Sequence, residues 1–111
     1  SYEAQVREAY LANPVAQRAV RLVAESVAWC PVFASEDGKE RPSTGFGRAE
    51  ALMTPGLLET IATQLLLHGN AFVQVLPDAN ALPAELFALR PERVSVEIAG
   101  LCDDCRPTRL T

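Results

Sequence analysis

The stretch LLETIATQLLLHGNAFVQV, residues 57–75, decides the fold. It starts as a helix and ends as a strand, with Gly69 and Asn70 at the switch. Leu57, Leu58, Ile61, Ala62 and Leu65 recur at three- and four-residue steps, which draws one apolar stripe down a helix that must bury it. Glu59, Thr60, Thr63 and Gln64 fall on the other side and supply a solvated face. Gly69 follows the last turn, where a residue without Cβ closes a helix in the left-handed conformation. Ala71 to Val75 carry the aromatic and β-branched content of a strand. The stretch therefore predicts a helix folded back on a strand.

Upstream, Thr54 and Pro55 supply a cap and a first turn for that helix. Residues 48–53 have room for one more helical turn. The segment 35–48, SEDGKERPSTGFGR, is polar and broken by Gly38, Pro42, Gly45 and Gly47, and is read as a flexible loop. Its Gly45-Phe46-Gly47 triplet is not a phosphate loop, because no lysine and hydroxyl pair follows at the required offset. Before the loop, Pro31 to Ala34 reads as the start of a short strand, with Pro31 at an edge or first position.

Earlier still, residues 1–12 read as a helix with a loose stripe. Asn13 and Pro14 stop it and start another, since Asn caps a helix and Pro fits its first position. From Pro14 to Trp29 the apolar positions Val15, Ala19, Leu22, Val23 and Val27 keep helical spacing, the clearest amphipathic pattern in the chain. Arg18, Arg21 and Glu25 form its solvated side, with Arg21 and Glu25 one turn apart.

Downstream of Val75, residues 77–80 are turn formers. Ala84 to Leu89 suits a strand paired with Phe72 to Leu76 in a hairpin. Arg90 to Arg93, built around Pro91, makes a second turn. Val94, Val96 and Ile98 then alternate with Ser95 and Glu97, which predicts a half-buried strand. Residues 100–111 show no period and are read as a coil tail.

The whole is an α+β domain: two to three amphipathic helices packed on a small, mainly antiparallel sheet. At 111 residues the chain is one domain's worth, or a fragment of a larger subunit, and it opens at Ser1 without a methionine or a secretory leader. Hydrophobic residues at 49% and charged residues at 22% place it among globular rather than disordered chains. A net charge of -4 argues against a surface that grips nucleic acid by neutralising phosphates. No charge-free run of about 18 apolar residues occurs, so no membrane span is expected.

Three groups bear on chemistry. Cys102 and Cys105 form a C-x-x-C, and with Cys30 and His68 they make a zinc site conceivable in number. Cys30 and His68 lack a close second pair, however, and the motif trails a strand instead of entering a helix as a redox pair does. Reduced thiols in a tail are the simpler reading, with a small zinc-binding interaction module using Cys102 and Cys105 as the alternative. His68 falls in the last turn of its helix, where a donor complements the carbonyl ends. No nucleophile, base and orienting group assemble around it, and none of the acids form a catalytic pair, so no enzyme activity and no cofactor are expected. Trp29 and Phe33 are assigned to core or interface. A partner or nucleic-acid role for Arg90 and Arg93 is weakly indicated.

Three blocks carry a family resemblance. The run from Asn13, Pro14 and Val15 through Arg18, Val20 and Arg21 to Ala24, Glu25, Ser26, Val27 and Ala28 resembles the early helix of tailed-phage portal proteins, a family also used by gene transfer agents. Leu65, Leu66, Leu67, His68, Gly69, Asn70, Ala71 and Phe72 resemble that family's LLLHGNAY stretch. Glu85, Leu86, Leu89, Pro91, Arg93 and Val94 resemble its E-L-x-x-L-x-P-x-R-V hairpin. Together the blocks cover most of residues 13–96. The resemblance implies a wing-like part of a structural subunit, in a ring that is usually dodecameric and forms the DNA entry and exit vertex of a capsid. It implies assembly in the bacterial cytoplasm and a final place in the virion. Implied partners are neighbouring subunits, capsid protein, head-tail connector, terminase and the double-stranded DNA that passes through, with no membrane. Asn13, Pro14, Gly69, Asn70 and Pro91 carry structural roles in this reading.

Overall fold

A computed structural model describes residues 1–38, 40 and 45–97, and the backbone of 109–110. Among these, four α-helices and short antiparallel strands form an α+β fold.

Helix α1 spans Tyr2–Leu11, and α2 spans Pro14–Ala28. Between them Asn13 accepts the backbone N–H groups of Val15 and Ala16 on its Oδ1, both at 3.1 Å, while Pro14 fills the first helical position. Both donors would otherwise lack an intrahelical partner. Gln17 secures the corner from the other side: its Nε2 donates to the carbonyls of Tyr10 and Leu11, the orphan acceptors at the end of α1.

Residues 31–35 are not a strand. Pro31 has no N–H to give a ladder, and the Ala34 N–H donates at 3.0 Å to Glu50 Oε1 on the short helix α3, Gly47–Leu52. Helix α3 thus forms where a helical turn is expected over residues 48–53, and takes only the last two positions of the expected loop. Arg48 clips it to the sheet, reaching Asp78 Oδ2 at 2.7 Å and the Pro83 carbonyl at 3.2 Å.

Helix α4, Pro55–His68, starts at Thr54, whose Oγ1 accepts the Leu57 N–H, and ends at Gly69 with φ 73° and ψ -3°. The Gly69 N–H returns to the Leu65 carbonyl at 2.9 Å, so the switch forms as its sequence predicts. Strand β1, Phe72–Pro77, then pairs antiparallel with β2, Pro83–Leu89, in the register Phe72 to Leu89 through Leu76 to Glu85. Asp78 builds the intervening turn by accepting the Asn80 and Leu82 N–H groups on Oδ1. The turn runs on to Leu82, with Ala81 at φ 59°.

A 3-10 turn at Pro91–Arg93 leads to β3, Val96–Glu97, which pairs with β4, Arg109–Leu110. Among the described residues the strand expected from Val94 to Ile98 is a two-residue ladder whose residues are both exposed, with Val94 half-buried just before it; Ile98 lies outside the described residues. The same ladder corrects the coil reading of the tail at residues 109–110.

The core lies between α2 and α4. Its buried hydrophobic members are Ala24, Ala28, Leu57 and Ala62, and Ala24 is fully enclosed. Small side chains bring the two helix backbones close, as dispersion contact requires. Around this seam the chain exposes 8361 Å², against about 6000 Å² for a typical folded monomer of its mass. Several large apolar side chains, Val15, Leu22 and Trp29 among them, stand open to solvent.

Candidate functional site

The helix that reads as most amphipathic buries a face beside the expected one. Val15 is 79% exposed, Leu22 56% and Val23 47%, and Ala19 is exposed as well. The inward face instead carries Val20, Ala24 and Ala28, one turn apart. Helix α2 therefore has two adjoining apolar faces, a narrow one of small residues against α4 and a broad one of large residues facing out. Arg18, Arg21 and Glu25 border the second, with Arg21 Nε 3.1 Å from Glu25 Oε1. Trp29 extends the outer face at 82% exposure, which removes it from the core and leaves its interface assignment.

On α4 the expected stripe holds at Leu57, Leu58, Ile61 and Ala62, which are buried or half-buried, and departs only toward the helix end. Gln64, expected in solvent, turns inward and donates from Nε2 to the Leu89 carbonyl at 2.9 Å, which ties the helix to β2. Leu65 and Leu66 are about half exposed in its place. Periodicity identifies apolar positions but does not say which side of a wide apolar arc meets the core.

Beside α4 lies a polar seam. Glu92 Oε1 accepts from Arg7 Nη1 at 3.2 Å and stands 3.3 Å from Arg90 Nε. Arg90 is thereby engaged within the chain. Pro91 is buried beneath this cluster. A cleft bounded by α1, α4 and the 3-10 turn opens here, and His68 reaches it. Gln64 Oε1 and His68 Nδ1, one helical turn apart, are buried there with no hydrogen-bond partner. Asn70, at the mouth of the neighbouring cleft, is exposed.

The structural set Asn13, Pro14, Gly69, Asn70 and Pro91 thus maps to one helix start, one helix stop and one buried turn. Gln17, Arg7 and Glu92 belong with it and were not singled out in the sequence. The S/T/N-cap logic that finds Asn13 has no counterpart for a glutamine reaching back to the preceding helix or for an ion pair between distant segments.

Cys30 is exposed, and its thiol faces the Ser26 carbonyl within its own helix end. Cys102 and Cys105, the ligands of the zinc alternative, lie outside the described residues. Among the described residues no group of three His, Cys, Asp or Glu side chains is arranged to hold a metal ion. No described helix is long and apolar enough to cross a membrane. The Asp78 carboxyl is held below the ordinary carboxylate value, chiefly by the Arg48 guanidinium and then by the Asn80 and Leu82 N–H groups. The chain matches no family model, no curated protein and no solved structure.

Proposed function

We propose that this chain is the outer, wing-like part of a portal subunit, a structural component of the ring through which DNA enters and leaves a phage or phage-like capsid. The supporting observation is the outward apolar face of α2, from Val15 through Leu22 to Trp29, on a chain whose enclosed core is made mostly of alanines. Large exposed apolar patches of this kind mark places where a partner binds. A subunit of a large assembly finds that partner in its neighbours. The three blocks resembling portal proteins supply the particular assembly, and the net charge of -4 gives the chain no general grip on nucleic acid.

In this reading the residues position surfaces and perform no chemistry. Sequencing outward from the coding region tests it: genes for a terminase and a capsid protein are expected alongside, and a locus with neither contradicts the proposal.

A further inference from the structure

The outer face of α2 has a second property that the ring reading does not use. Val15, Ala19, Leu22, Ser26 and Trp29 alternate four- and three-residue steps, the spacing of a coiled-coil seam. Ser26 does not spoil the seam, because its Oγ already donates to the Leu22 carbonyl at 2.7 Å and brings no unsatisfied donor with it. Arg18 and Glu25 lie one heptad apart on the same flank of that seam. Arg18 is exposed and forms no ion pair among the described residues.

We infer that α2 pairs with α2 of a second copy, antiparallel and across a two-fold axis. In that arrangement Ala19 packs opposite Leu22 of the second copy, and Val15 opposite its Ser26. The flanks then fall into register: Arg18 meets Glu25 of the second copy, which it shares with that copy's Arg21, and Glu25 meets the second copy's Arg18, while Ala16 meets its Val23. A parallel pairing would place each of these charges beside residues of the other flank and lose the match. Self-complementarity of this kind is what an isologous contact demands, since one patch must recognise itself. The contact closes on itself and uses the face that ring neighbours would cover, so it is an alternative to the ring contact and does not depend on the portal reading. It covers the apolar face of chains that are not otherwise assembled.

Sedimentation of the 111-residue chain across micromolar concentrations at low and high salt tests the pairing. A dimer is expected, with emission from Trp29, the chain's one tryptophan, moving to shorter wavelength as it forms. Arg18→Glu and Glu25→Arg should each weaken association on the order of tenfold at low salt, because two attractive contacts become repulsive. The doubly reversed variant should recover it. Circular dichroism reports whether each variant keeps its helices. A chain that stays monomeric throughout, or an association that ignores both reversals, or a folded double variant that fails to recover, overturns the inference.

Discussion

Arg7 Nη1 stands 3.2 Å from Glu92 Oε1, which joins the first helix to the 3-10 turn 85 residues later in the chain. The Glu92 side chain is only 13% exposed and receives Arg90 on the same oxygen. Two guanidinium groups therefore hold one carboxylate that has little water around it, which makes this contact stronger than an ordinary surface pair.

Replacing Glu92 by Ala leaves both arginines without their carboxylate and frees α1 from the turn. A loss of about 1–2 kcal/mol in unfolding free energy is expected, discounted for the 43% exposure of Arg7. A denaturant-melt double-mutant cycle with Arg7→Ala should show a coupling energy. Strictly additive losses would mean that the pair holds nothing.

Gly69 has φ 73° and nothing within 4 Å of the place a Cβ would take. Any penalty for a side chain there is therefore conformational, not steric crowding by neighbours. Gly69→Val should cost about 1–3 kcal/mol, and Gly69→Asn clearly less, since Asn tolerates the left-handed region. Equal melting temperatures for the two variants would argue that the backbone rearranges at the switch.

The shifted packing of α2 makes opposite predictions for neighbouring residues. Ala24→Leu adds volume to a fully enclosed position and should destabilise by about 1–3 kcal/mol. Leu22→Ala, on the 56% exposed side, should change the unfolding free energy of the dilute chain by no more than about 0.5 kcal/mol. A large loss at Leu22 with a neutral Ala24→Leu would reverse the assignment of faces.

Asp78 links the hairpin turn to α3 through Arg48 at 2.7 Å. Its carboxyl is held below the ordinary carboxylate value of about 3.9 in the folded chain. The contribution of this link is accordingly present above that value and is lost as pH falls through the lower folded one. Asp78→Asn keeps an oxygen for the Asn80 and Leu82 N–H groups but loses the ion pair, so its stability should not fall over that acid range as the parent's does. Melting curves from pH 5 to pH 2 that differ by a constant offset would count against the link.

Local structure was legible in the sequence because its signals are local. Asn13 and Pro14 start α2, Thr54 and Pro55 start α4, and Gly69 ends it, each through contacts within a few residues. The hairpin follows for the same reason, with strands and turn formers contiguous. What could not be read is which apolar arc faces inward. Ala24 and Ala28 carry less hydrophobic weight than Leu22 and Val23, so periodicity points to the larger residues, yet close helix approach selects the smaller ones. Long-range polar contacts were invisible for a related reason: nothing near Arg7 announces Glu92, and nothing near Ala34 announces Glu50. The strand expected at residues 31–34 does not form, because Pro31 has no N–H for a ladder and Ala34 gives its own to Glu50.

The reading of the chain as an assembly subunit is tested most directly by imaging the purified product of its entire reading frame in the electron microscope. Closed rings of identical subunits around a central channel, with the α2 region toward the periphery, are the predicted result. A homogeneous population of single particles with no ring, at concentrations where other capsid components assemble, would contradict it.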